Sequence, residues 1–316
     1  MSYYLQAAGG HLSMMSRAKK VEVLIADKAT PPQLRERLVL AREIREFASK
    51  ELKLPDNGSY RSYAELDRPY AVWNVVAAPE FDLKAVQSCF PVAGCVAYRG
   101  FFGRAEADSY AAGLRAGGYD VLVYGVPAYS TLGRFDDPLL SSFIRYPDQE
   151  LARLIFHELS HQVAYVKDDS TFNESFAVAV EREGVRRWLA ATGRQELMQK
   201  YLDSQKRLAE LRAQLDQARA RLQVVYRSGI APEAMRERKR AEMEALKPAL
   251  KVFPPFAATE PNNALLAAFA TYTELVTEFE FILKESNGDL DKFYARVKRY
   301  AANAPSNRGP LSKRSP

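Results

Sequence analysis

His157-Glu158-Leu159-Ser160-His161, followed after eleven intervening residues by Asn173-Glu174-Ser175-Phe176-Ala177, is the stretch from which the rest of the chain is read. An α-helix turns 100° per residue, so histidines four apart stand on one face and their imidazole nitrogens can converge on one metal ion. Glu158 lies at the rim of that face, where its carboxylate can reach a metal-bound water without becoming a ligand. It is the candidate general base. The alternative is a hydrogen-bonded or solvated histidine pair, but the chain has only three histidines and two of them take this spacing. Pro147 suits a first helical turn, and Asp148 and Glu150 suit its positive end. Leu151, Ile155, Leu159, Val163 and Val166 make an apolar stripe, so the expectation is a half-buried amphipathic helix.

A catalytic zinc takes three protein ligands and leaves a position for water. Lys167 to Ser170 is a short polar break, and Ser170 or Thr171 can cap a second helix whose first turn carries Glu174, the expected third ligand beside His157 and His161. Glu181 lies two turns further on the same face and can orient a histidine from behind, or else pair with Arg182 or Arg186 at the surface. His11 sits after Gly9-Gly10 and reads as incidental.

These two motifs resemble the glutamate-type zincins, the group containing thermolysin and the large zinc aminopeptidases, whose ligands correspond to His157, His161 and Glu174. The spacer of twelve residues between His161 and Glu174 is shorter than theirs, which calls for a tighter connection, and no G-A-M-E-N-like segment occurs. A closer resemblance is to a family of bacterial proteins described as predicted aminopeptidases. It runs through Tyr3-Tyr4-Leu5-Gln6-Ala7, Cys89-Phe90-Pro91-Val92-Ala93-Gly94-Cys95, Tyr98-Arg99-Gly100, the metal motif and Asn262-Asn263-Ala264. The resemblance implies a zinc peptidase of the bacterial periplasm, lipid-anchored in its precursor through a cysteine that would stand just before this segment.

Composition fits an enzyme with one or two substantial cores: 316 residues, 47% hydrophobic. No run of eighteen apolar residues occurs, and the N-terminus has no signal-peptide pattern. Cys89 and Cys95 enclose a short loop with Pro91 and Gly94; they read either as a disulfide, which suits an oxidising compartment, or as buried thiols. The net charge of +6 is spread over helices that also carry many acids. No nucleic-acid module accompanies it, so nucleic acid is not an expected partner. The basic C-terminal end can be drawn to anionic lipid headgroups.

The expected class is α+β, predominantly helical: a zincin-like core with a small β-sheet and a long helical hairpin insertion. Residues 1–54 read as a helical segment, with Pro31-Pro32 opening a helix from Gln33 to Leu52. Residues 55–193 read as the catalytic core, with strands at Tyr70 to Ala77, Val96 to Phe102 and Asp120 to Tyr124 and a helix from Ala105 to Ala116. Val96 to Phe102 is the expected edge along which an extended peptide would pair. Residues 194–250 read as a hairpin arm: Tyr201, Ser204, Leu208, Leu211, Leu215, Ala218, Leu222 and Val225 form a heptad seam, Ser228-Gly229 and Pro232 a turn, and Glu233 to Leu246 the return. It serves either as a lid or partner-binding projection or as a packed pair. Residues 251–300 carry helices at Asn263 to Leu283 and Asp289 to Tyr300 that complete the core, and 301–316 form a disordered basic tail.

The expected reaction is peptide hydrolysis with Glu158 moving the proton. Tyr129, Tyr165 and Tyr272 are candidate oxyanion donors, Tyr272 the preferred one because it follows the Asn262-Asn263-Ala264 segment. Glu181, Asn262 and Asn263 are candidates to hold a substrate amine. A zinc endopeptidase on the same residues is the second reading, and a non-catalytic, metal-containing binding module that uses the hairpin is the third.

Overall fold

The computed structural model describes residues 3–90, 94–128, 130–253, 256–270 and 275–302. It is α+β and 58% helical, with small sheets of two or three strands. No helix among the described residues is long and apolar enough to cross a membrane. Two compact units divide the chain, and both are discontinuous in sequence: one gathers 1–71, 127–201 and 272–316, the other 72–126 and 202–271.

The first unit holds α1 (Tyr3–Ser16), β1 (Lys19–Lys20), α2 (Val21–Ala26), α3 (Pro32–Lys50), β2 (Ser62–Ala64), β8 (Leu139–Leu140), α5 (Asp148–Ser160), α6 (Ser170–Ala191), α10 (Val276–Glu285) and α11 (Leu290–Ala302). Pro32 opens α3, where the missing N–H costs nothing, and Leu38, Ala41, Ile44, Arg45 and Ala48 recur at helical spacing on its buried face. β2 pairs antiparallel with β1 and parallel with β8. These strands have two or three residues each, too few for alternation to show in sequence. α6 is buried on most of its circumference. Phe172 and Phe176 meet Phe279 of α10 edge to face, and Phe176 also meets Phe293 and Tyr294 of α11. Fully buried aromatic rings of this size dominate the energetics of a core.

The second unit is built on an antiparallel sheet in the order β6 (Arg99–Phe101), β3 (Val72–Pro79), β7 (Tyr119–Val126). β3 is central and nearly all buried, in keeping with its apolar run Val75-Val76-Ala77-Ala78. The stretch Val96 to Phe102 is two short strands: β5 (Gly94–Val96) pairs with β4 (Ser88–Phe90), and β6 is an edge of the main sheet. Cys89 and Cys95 face each other in the β4–β5 register and are joined by a disulfide. α4 (Arg104–Ala116) and α9 (Asn263–Phe269) pack on the sheet.

α7 (Gln195–Arg227) and α8 (Pro232–Lys251) form the hairpin, and the division between units falls within α7 after Tyr201. Leu211, Leu215, Ala218 and Leu222 of the seam enter a core with Val76, Ala78, Leu122, Met243, Leu246, Leu250 and residues 264–267. From residue 202 on, the hairpin is therefore a packed helical pair covering β3 and β7, which is why its seam is apolar. The single helix expected from Asn263 to Leu283 is α9 and α10, with 271–274 outside the described residues.

Candidate metal centre

α5 and α6 are neighbours in the first unit and carry the whole cluster. Pro147 takes the N-cap of α5, and Asp148 and Glu150 fill its first turn. Leu151, Ile155 and Leu159 are fully buried, as the stripe predicts, but the helix ends before Val163 and Val166, which are half-buried. The helix ends at Ser160, but His161 keeps right-handed helical dihedrals at the C-cap, so the two imidazoles remain on one face. Their ring centroids lie 4.9 Å apart, nearly perpendicular.

The tight connection to α6 has a clear device. Asn173 grips the main chain of Val166 from both sides: its Oδ1 accepts from Val166 N at 2.7 Å and its Nδ2 donates to Val166 O at 2.8 Å. Asn173 is buried, and with Asn in place both main-chain groups are satisfied. The cap of α6 differs from expectation. It is Asp169, whose carboxylate accepts from Phe172 N at 2.7 Å, and not Ser170 or Thr171. A charged acceptor at the positive end of the helix outcompetes a hydroxyl there.

Glu174 is thereby delivered to the histidines. Its Oε2 lies 3.3 Å from His157 Nε2 and its Oε1 lies 3.8 Å from His161 Nε2. The donor atoms of His157, His161 and Glu174 all fall within 4.8 Å of one another, a group that could hold a metal ion. Around one zinc, with ligand bonds of about 2.0–2.2 Å, tetrahedral donors stand roughly 3.3–3.6 Å apart, so the spacing and the donor types fit.

Glu181 sits behind His157. It is 4% exposed, and its Oε2 accepts from His157 Nδ1 at 2.8 Å and from Arg153 Nη1 at 3.2 Å. This bond fixes the His157 tautomer and aims Nε2 toward Glu174, the arrangement that raises the basicity of a ligating imidazole. The surface alternative for Glu181 does not occur, because Arg182 pairs with Glu280 and Arg186 with Glu183. Arg153, which also pairs with Glu150, was not singled out from sequence; its place one turn before His157 on α5 is the signal that was available.

Burial and charge pull the titrations apart. Burial opposes protonation of His157, but Glu174 and Glu181 outweigh it and raise its pKa to about 10. Burial drives His161 down to about 4. Burial alone would raise Glu174, but the hydrogen bond from His157 and the histidine charges hold it below the ordinary carboxylate range. Glu158 is pushed up to about 7 by burial, with Glu174 and Asp137 adding and His157 and Arg153 opposing. The two carboxylates on either side of His157 thus favour positive charge between them, as they would favour a bound cation.

Of the remaining candidates, Tyr165 is half-buried, and burial followed by the charge of Glu174 raises its pKa. Tyr272 and Tyr129 fall outside the described residues. Asn262 and Asn263 belong to the second unit, while the donors belong to the first. Asn262 caps α9 through Leu265 N and donates to Val121 O. Asn263 donates to Pro79 O and Glu80 O and accepts from Tyr226 Oη. Both side chains hold α9 to the sheet. β6, the expected peptide-pairing edge, is also in the second unit.

Compared with known proteins, the chain matches the family model described as "Putative aminopeptidase" over residues 2–310. No curated protein and no solved structure matches it.

Proposed function

The chain belongs to this aminopeptidase family, and on that premise we propose that it is a metal-dependent aminopeptidase hydrolysing peptide bonds. His157, His161 and Glu174 would hold the cation, zinc by preference, since two imidazoles and a carboxylate are a recurrent catalytic donor set for it. Bound there, zinc supplies Lewis acidity and a water of lowered pKa.

The chain's own residues do the rest. Glu158 takes the proton of the attacking water and returns it to the departing amine, a task for which a carboxyl buried to a value near neutrality is suited. Glu181, braced by Arg153, keeps His157 from rotating and from presenting the wrong nitrogen. The choice of an amino-terminal over an internal bond rests on the family description. The observation that carries the reading is the convergence of three donors from α5 and α6 with a carboxylate next to the first of them. An oxidising compartment such as the bacterial periplasm is part of the proposal, supported by the Cys89–Cys95 disulfide.

The test is a panel of free and N-acetylated peptides given to the zinc-loaded protein and to Glu158→Gln. Free peptides should be cleaved and acetylated ones spared, and Glu158→Gln should retain the metal while losing about 100-fold or more in kcat. Cleavage that ignores acetylation would turn the reading to an endopeptidase; unchanged turnover in Glu158→Gln would end it.

A further inference from the structure

Outside the metal ligands, one buried group among the described residues that no step above uses is the phenol of Tyr60. Its residue is 2% exposed and its hydroxyl has no hydrogen-bond partner among the described residues. A buried donor without an acceptor is costly, and native proteins retain one chiefly where function needs it. The backbone of Tyr60 is unusual as well: φ is 62°, in the left-handed region that a bulky side chain rarely takes and that recurs at functional sites.

The surroundings over-determine this conformation. Arg45, fully buried, donates to the carbonyls of Pro55, Asn57 and Ser59, so the loop before Tyr60 is wound around one guanidinium. Tyr60 N donates to Asp137 O at 2.6 Å. The same loop is tied to α5: Asn57 Nδ2 donates to Gln162 Oε1 at 2.7 Å, and Gln162 Nε2 donates to Ser59 Oγ at 3.2 Å. Gln162 lies two residues past the end of α5, follows Glu158 by four, and closes a turn through its N–H to Leu159 O. The loop that presents Tyr60 is therefore fastened to the chain at the C-terminal end of α5, close behind Glu158 in sequence.

We propose that Tyr60 is a positioning residue for Glu158: its hydroxyl donates to the Glu158 carboxylate in the working enzyme and holds it toward the metal ligands. A hydroxyl sealed from solvent does not reach a substrate, so it acts through Glu158. Burial and then the charge of Glu158, ahead of Asp137, are what raise the phenol well above its ordinary pKa, which agrees with that neighbourhood. Hydrogen bonds of this kind are often long in the resting protein and tighten when the complex forms.

The inference rests on Glu158 being the base, and its test separates the two. Tyr60→Phe removes one oxygen and keeps the ring. We expect kcat to fall about 10- to 100-fold, as for loss of a hydrogen bond to a charged group. KM, bound zinc and Tm should be unchanged, or Tm slightly raised, because the hydroxyl has no partner among the described residues. An unchanged kcat overturns the inference, and so does a fall in kcat that tracks lost metal or lowered Tm. A second reading needs no turnover: the carboxyl infrared band of Glu158, assigned by difference with Glu158→Gln, should shift in Tyr60→Phe in the zinc-loaded protein. A band that stays in place overturns the role of Tyr60 even if peptides are cleaved. A band that shifts in a protein that cleaves none upholds it and faults the peptidase reading alone.

Discussion

Gly184→Ala probes the contact that lets α5 and α6 approach closely enough to share a cation. A Cβ placed on Gly184 would lie 2.8 Å from Phe156 Cδ2 and 2.8 Å from Leu52 Cδ1, against 3.4 Å for the nearest ordinary contact. One or both neighbours must therefore retreat by about 0.6 Å, and both are buried, Phe156 completely. Overpacking of this kind costs about 1–3 kcal/mol, and alanine in a helix returns up to about 1 kcal/mol, for a net loss near 1 kcal/mol. The displacement matters more than the energy. Phe156 adjoins His157, and Gly184 follows Glu181 by three residues, so a push between them opens the 2.8 Å contact from His157 to Glu181 and the 3.3 Å approach to Glu174. Zinc tolerates departures of roughly 0.2 Å in its ligand distances, so affinity should fall at least about tenfold. Zinc competition against a fluorescent chelator, with thermal unfolding alongside, reads both effects. Gly113→Ala in α4, where an added Cβ meets nothing within 4 Å, is the control and should be neutral or stabilising without touching the metal. If Gly184→Ala gained stability like the control and bound zinc with unaltered affinity, the close-approach reasoning would be wrong.

Two further outcomes follow from the titrations and from the partners of His157. Glu181→Gln keeps the shape but removes the charge that His157 and Arg153 share, and zinc affinity should drop about 10- to 100-fold in the same competition assay; an unaltered affinity would deny Glu181 its orienting role. Because His157 without metal holds its proton up to a pH of about 10 and a cation must expel it, zinc affinity should rise about tenfold per pH unit from pH 7 to 9. Proton release measured by calorimetry in buffers of different ionisation enthalpy should be close to one per ion, and a value near zero would mean that His157 binds without losing a proton.

Much of the site was legible because its signals are local. Histidines four apart, an acidic first turn and a glutamate seven residues before another are properties of helices, and helices write their periodicity into sequence. Glu174 was read from the polar break that starts a second helix, and Glu181 lies two turns beyond it. The hairpin seam was legible too, but its apolar positions do not say what covers them, and Leu211 to Leu222 meet strands more than 80 residues earlier in the chain. For the same reason the two units, each assembled from separated segments, left no composition boundary to read. β1, β2 and β8 are too short for alternation, and pairing across such distances is a property of the fold. Tyr60 was missed because a left-handed tyrosine has no signature of its own. The available hints were the turn-forming run Asp56-Asn57-Gly58-Ser59 just before it and Arg45, an arginine on the apolar face of α3.

The central claim is that His157, His161 and Glu174 together bind one divalent cation. X-ray absorption at the zinc edge on stoichiometrically loaded protein tests it most directly, with His157→Ala, His161→Ala and Glu174→Ala measured in parallel. One zinc per chain is predicted, with two imidazole nitrogens at about 2.0–2.1 Å and oxygen in the remaining positions, and each substitution should remove its own donor from the spectrum. A first shell containing sulfur or a third imidazole, or a spectrum indifferent to Glu174→Ala, would contradict the assignment.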